Sequence, residues 1–234
     1  PSPWSESFTR HYEIRNVAGE LVGEGECSLS PSGEEATLTC ESNVQAYEVK
    51  QGQSRYSSSG GRRIDVLRFQ RSTGVFIEGS STLDLQGGFG SQVSYLQGSD
   101  RIEVLYHERG GKDFMHLDLP FNQTALTDDP ALPVAIDYLW PWQLAGFDMR
   151  PGEQGSVLRF NPYTWRDQAR GSGPLAEPRR VQVSEQAEVQ TASGEYSAWL
   201  VTSGEREKAW YADVGGTLTV VQYFNGIETW SLKE

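Results

Sequence analysis

The sequence predicts an all-β fold with one short helix, arranged as a single domain over residues 1–234. Three observations carry this prediction. Short alternating segments recur at intervals of about 8–12 residues between Gly, Ser, Asn and Pro punctuation, the spacing of sandwiches and barrels. Tight-turn signals, Gly110-Gly111, Gly215-Gly216 and Asn225-Gly226, sit between apolar runs. The chain holds 7 Trp, 10 Tyr and 9 Phe, so large rings compensate for a hydrophobic share of only 37%.

Phe8 to Ser42 reads as three strands. Residues 8–16 alternate, with Phe8, Tyr12 and Ile14 at even positions; residues 21–29 and then EATLTCES follow. A hairpin centred on Gly33-Glu34 sets Cys27 directly across from Cys40, close enough for a cross-strand disulfide and hence an oxidising compartment. The other reading is two buried thiols, because a one-residue slip would put them on opposite faces. Residues 44–50 continue the pattern, and SRYSSSGGRR reads as a polar loop or exposed hairpin tip. Strands resume at IDVLRFQR, GVFIEGSSTLDLQ, QVSYLQ, RIEVLYHE and KDFMHLDLP, with LQGGFG too glycine-rich to be a strand interior.

Residues 128–147 break the pattern and read as a helical lid. Thr127-Asp128-Asp129-Pro130 is a helix start, and Ala131, Leu132, Ala135, Ile136 and Leu139 recur at three- and four-residue steps. Pro141 is expected to end or kink this helix. Trp140, Trp142 and Phe147 follow in an apolar, punctuated stretch. Strands return at SVLRFNPYT, and residues 166–180 read as a long Gly/Pro-rich loop.

At the C-terminus three tryptophans fall into one row. A two-residue turn at Asn225-Gly226 pairs Tyr223 with Glu228 and Val221 with Trp230, and Gly215-Gly216 sets Trp210 opposite Val221. If the preceding loop is Ser203 to Arg206, Trp199 faces Trp210. The opposite face, with Leu200, Tyr211, Leu218, Val220, Phe224 and Ile227, is apolar too. A sheet with one wet face should alternate, so both faces require a cover of protein or ligand.

Charge and motifs exclude several functions. The net charge of −12 and dispersed Lys and Arg argue against nucleic acid and anionic membrane surfaces. The adjacent pairs Arg62-Arg63 and Arg179-Arg180 read as solvated strand ends. No run of about 20 apolar residues is present, so no helical membrane span is expected. The start, Pro1-Ser2-Pro3-Trp4, reads as processed or engineered, with any address or lipid anchor upstream. No cofactor motif stands out. His107 and His116, diagonal neighbours if His107 faces Phe114 and His116 faces Leu105, make with Asp118 only a weak metal set, and no metal is expected. Catalytic residues are likewise not expected: Asp128-Asp129, Glu24 with Glu26, and Glu228 beside Trp230 are chance juxtapositions in a chain with 32 acids, although a glycosidase would use such pairs.

Several short segments resemble an uncharacterised bacterial cell-envelope family of β-rich proteins. They are Tyr12-Glu13-Ile14-Arg15, Val22-Gly23-Glu24-Gly25-Glu26, Asp129-Pro130, Met149-Arg150-Pro151-Gly152-Glu153, Gly194 to Trp199, Ala209 to Asp213 and Val220 to Tyr223. The family shares the broad architecture of periplasmic lipoprotein-carrier half-barrels. The resemblance implies a strongly curved antiparallel sheet with a helix against its concave face and an apolar groove between them. It brings no assigned activity or functional residues. The disulfide hairpin and the loop at 166–180 have no counterpart in it.

The functional expectation is an exported, non-catalytic protein of periplasm, cell surface or secretion, holding a lipid or other apolar small molecule. Trp140, Trp142 and Phe147 form the lid side; Trp199, Trp210, Tyr223 and Trp230 form the sheet side. The alternative is a carbohydrate-binding β-sandwich with the tryptophans as exposed platforms.

Overall fold

The computed structural model describes residues 4–72, 74, 76–98, 101–108, 114–120, 134–136, 139–144, 150–160 and 176–233. In chain order the elements are β1 (Phe8–Asn16), β2 (Leu21–Ser32), β3 (Glu35–Val44), β4 (Tyr47–Gln51), β5 (Ser54–Ser58), β6 (Gly61–Gln70), β7 (Phe76–Leu85), β8 (Gly90–Gln97), β9 (Arg101–Glu108), β10 (Phe114–Pro120), β11 (Val134–Ile136), α1 (Trp140–Leu144), β12 (Gln154–Phe160), β13 (Ala176–Thr191), β14 (Gly194–Ser203), β15 (Glu207–Val214), β16 (Thr217–Phe224) and β17 (Glu228–Leu232). Among the described residues fifteen strands form one open sheet in the order β10-β9-β8-β7-β6-β3-β2-β1-β17-β16-β15-β14-β13-β12-β11, while β4 and β5 form a separate ribbon. All neighbours are antiparallel except β11 with β12. The sheet is strongly curved, and α1 lies against its concave face. The first strand pairs with the last, Ile14 opposite Trp230 and Tyr12 opposite Leu232, which brings the two chain ends into the middle of the sheet.

The concave face can be followed strand by strand through the ladder. Tyr12 and Ile14 on β1 continue into Gly25 and Gly23 on β2, and Cys27 and Leu29 into Cys40 and Leu38 on β3. Asp65, Leu67 and Phe69 on β6 extend the same face. The apolar members are almost wholly buried, as are Val93, Tyr95, Val104 and Tyr106 farther along. Each large side chain so buried contributes about 1.5–3 kcal/mol relative to exposure. Cys27 and Cys40 stand directly opposite, with Cα atoms 4.1 Å apart, and are joined as a disulfide. The register counted from Gly33-Glu34 is therefore the one adopted, as is that of His107 with Phe114 and His116 with Leu105.

Four expectations are corrected. Ala135 and Ile136 lie in β11, a strand, and among the described residues the helix spans the five residues Trp140–Leu144. Val134, Ala135 and Ile136 meet an available ladder on β12, which overrides a helical periodicity carried by few residues. Pro141 sits inside the helix rather than ending it; in the first turn its missing N–H costs nothing. The proposed helix start at Thr127 to Pro130 lies outside the described residues. Residues 176–180, expected in a loop, begin β13, so Arg179 and Arg180 lie within a paired strand. Arg63 is largely buried, donating through Nε and Nη2 to Asp65 at 2.7 and 3.0 Å, whereas exposed Arg62 grips Glu41.

The tryptophan row is the fourth. The loop before β15 holds three residues, Gly204 to Arg206, so Trp199 pairs with Tyr211 and Leu200 with Trp210. A bulge then leaves Val221 unpaired, and Trp210 faces Gln222. This one-residue difference puts Trp210 on the convex face, away from Trp199. Trp230 pairs with Tyr223 rather than Val221, because Asn225 closes a turn over Gly226-Ile227. That shift is two residues, so Trp230 keeps its face.

Candidate functional site

The concave face carries a cluster of rings under α1. Tyr12, Tyr211, Tyr223 and Trp230 come from β1, β15, β16 and β17, and α1 inserts Trp140 and Trp142 among them. Trp142 is the hub. Its ring meets Tyr12, Tyr223 and Trp230 with centroids 5.8, 5.7 and 5.6 Å apart, in edge-to-face arrangements. Trp140 stands perpendicular to Tyr223 at 5.9 Å. These geometries place a ring's positive edge on its neighbour's negative face. Trp140 is 0% exposed and Trp142 4%.

Four polar tips of the cluster, those of Tyr12, Trp140, Trp142 and Tyr211, are bonded. Trp142 Nε1 donates to the Tyr12 hydroxyl at 3.1 Å, which donates to the Val220 carbonyl at 3.0 Å. Tyr211 donates to the Pro141 carbonyl at 2.8 Å, tying the helix to β15. Trp140 Nε1 donates to Glu207 Oε2 at 2.8 Å, and Glu207 also accepts from buried Arg159 on β12, whose Nη1 reaches Ser203. A single turn of helix is unstable alone; side-chain bonds and ring contacts hold this one. Burial pushes the Tyr12 and Tyr211 hydroxyls up from their usual range, so both stay protonated and serve as hydrogen-bonding groups.

Gly25 makes room for the cluster. A Cβ there would lie 2.4 Å from Trp230 Cζ3, so the indole rests on bare backbone across β1. Gly25→Val is expected to displace that ring and cost about 1–3 kcal/mol, the range for overpacking. Urea unfolding and tryptophan emission check it; an unchanged midpoint and spectrum would show that Trp230 does not rest there.

At the edge of the cluster, half-buried Trp230 also packs against a small group formed by Ile14, Val22 and Val44, to which Tyr47 of the β4–β5 ribbon adds its ring. The Tyr47 hydroxyl donates to Glu228 Oε1 at 3.0 Å. Burial raises the Glu228 carboxyl above its ordinary 4.5, a shift the bond from Tyr47 opposes. A raised folded-state value means the folded protein holds the proton more tightly. The cost of ionising Glu228 is thus absent below about pH 4 and grows as pH rises through the folded value. Glu228→Gln should therefore gain stability over the parent from pH 4 to pH 7, read as a widening gap between urea midpoints. A gap that ignores pH would show that Glu228 is not desolvated.

The residues singled out from sequence divide clearly. Trp140, Trp142, Tyr223 and Trp230 meet in the cluster. Trp199 shares the concave face, pairs with Tyr211 and packs half-buried on the main core. Trp210 points the other way, and Phe147 lies outside the described residues. Tyr12, Tyr211, Arg159 and Glu207 join the site without being among the candidate residues the sequence singles out. Tyr12 sits at a visible alternating position, but nothing local signals that its strand pairs with the last one. Glu24 and Glu26 face the convex side, bonded to Lys233 and beside His11, whereas Glu228 follows the concave register, so they do not flank a common ligand. Asp128 and Asp129 are not among the described residues. Among the described residues, no group of three His, Cys, Asp or Glu is arranged to hold a metal, and no helix is long and apolar enough to cross a membrane.

Comparison with known protein families, characterised proteins and solved structures finds no match.

Proposed function

We propose that this is an exported, non-catalytic protein that holds a lipid or other apolar chain between the concave face and α1, in the manner of cell-envelope carriers of similar architecture. One observation carries the reading: aromatic rings from four strands line the concave face, and a helix of five residues, seated through two indoles, covers them. So short a cover can leave its seat without unfolding the sheet. An acyl chain burying about 400 Å² of apolar surface gains on the order of 10 kcal/mol before ordering costs. Undocking one indole costs about 3–5 kcal/mol by analogy with truncation. The gain exceeds the loss of one contact but is comparable to the loss of both, so tight binding requires the indoles to repack on the ligand. The disulfide supports export, since such bonds persist in oxidising compartments.

Mass spectrometry of the native, unheated protein should find extractable acyl species. Adding acyl chains brominated near mid-chain to the emptied protein should quench more than half of its tryptophan emission. No bound mass, with no quenching up to the solubility limit of the probe, would overturn the carrier role.

A further inference from the structure

A second site lies on the convex face, away from the ring cluster, and does not depend on the carrier reading. Strands β3, β6, β7, β8 and β9 form there a groove of about 410 Å³. Its floor is low because Ser80 and Ser94, which stand opposite each other on the adjacent strands β7 and β8, are small. Val66 forms one wall; Leu96 and Leu105 form the other. The ladder explains why these residues share a face: Val66 continues into Ser80, Ser94 and Leu105, and Arg68 into Glu78, Leu96 and Glu103.

Two features say what would fit. Leu96 and Leu105 are 45% and 40% exposed, unusually open for leucine on strands, and they are diagonal neighbours. Diagonal side chains on adjacent strands lie about 7–8 Å apart, close to the roughly 6.8 Å between alternate side chains of an extended chain. The rim is acidic. Arg68 donates to Glu35 at 2.6 Å and to Glu78 at 3.0 Å, and Arg101 lies 3.8 Å from Glu103, so among these described residues three carboxylates face two guanidinium groups. This excess matches the charge of the whole chain, −12. Among the described residues the ring bordering the groove, Tyr95, is buried against Gly79, so none of them offers an exposed aromatic platform for a sugar.

We infer that this groove binds an extended peptide segment in which aliphatic side chains alternate with basic ones, the aliphatic groups pointing down between Val66 and Leu96/Leu105 and the long intervening basic side chains, which leave the backbone on its outer face, folding back over the groove's edges to Glu78 and Glu103. Fluorescence anisotropy of the full chain with three labelled decapeptides tests it: alternating lysine and leucine, alternating lysine and serine, and alternating glutamate and leucine. The lysine–leucine probe should bind at least 10-fold more tightly than either of the others. Ser94→Phe, which fills the floor from the outside, should weaken it at least 10-fold, and Glu103→Gln at least 2-fold with a shallower salt dependence. Equal binding of the lysine–serine probe would reduce the effect to attraction by net charge and overturn the site. So would equal binding of the glutamate–leucine probe, affinity untouched by Ser94→Phe in a protein whose unfolding midpoint is unchanged, or absence of binding at 1 mM probe (about the weakest specific affinity worth the name). A dimer in sedimentation that Ser94→Phe abolishes would assign the groove to a second copy of the chain instead.

Discussion

Trp142→Ala is expected to destabilise the protein by about 3–5 kcal/mol, the range for deleting a large buried ring. The indole is 4% exposed and touches three other rings, which come from β1, β16 and β17. Its removal empties the centre of the cluster, and the other ring of the helix, Trp140, is already committed against Tyr223 and Glu207. Trp142→Phe separates packing from hydrogen bonding. It keeps most ring contacts but removes the N–H that reaches Tyr12, and should cost about 1–2 kcal/mol. Tyr12 keeps its own bond to Val220 in either variant, so its hydroxyl is not stranded. Urea midpoints for the three proteins should fall in the order parent, Phe, Ala. If alanine costs less than about 1 kcal/mol, the cluster is not a packed unit and the seat of α1 contributes little.

The second large effect is removal of the disulfide. Cys27 and Cys40 are 13 residues apart in sequence, and closing a loop of that size in the unfolded chain is worth about 3 kcal/mol in the chain-entropy model. Cys27→Ala with Cys40→Ala should lower stability by about that amount, within the 2–4 kcal/mol usual for such bonds. It should also raise the denaturant slope slightly, because the unfolded chain becomes more open. Both residues are buried, so reductant should act only when the protein unfolds. Identical midpoints for parent and variant would remove the disulfide from the stability argument. A domain stable by about 5–15 kcal/mol has limited room for such a loss, which is why compartment matters physically to this fold.

How much of this was legible depended on loop length. Side chains alternate with a period of two, so a hairpin of known loop length sets its register and its faces together. The Gly33-Glu34 and Gly110-Gly111 turns allowed the Cys27–Cys40 and His107–Phe114 pairs to be placed correctly. The loop before β15 is one residue shorter than Ser203–Arg206, which is enough to send Trp210 to the convex face. The turn falls one position beyond Asn225-Gly226, at Gly226-Ile227, which moves the partner of Trp230 by two residues but keeps its side. The apolar character of both faces was visible in sequence. Its division into a buried set, with Tyr211 and Val220, and a half-exposed set, with Leu200, Leu218 and Phe224, was not.

The amino-acid sequence by itself determined the all-β class, most of the strands, the disulfide partners and the local hairpins, because these depend on turn chemistry and on alternation within a few residues. Only the tertiary structure decided that β1 pairs with β17, that Tyr12 and Tyr211 complete the ring cluster, that Arg159 and Glu207 anchor Trp140, and that α1 is five residues built around Pro141. Contacts such as Tyr12 to Val220 join groups 208 residues apart. Their formation depends on how the whole sheet curves and where its bulges fall, and no short window of sequence contains that information.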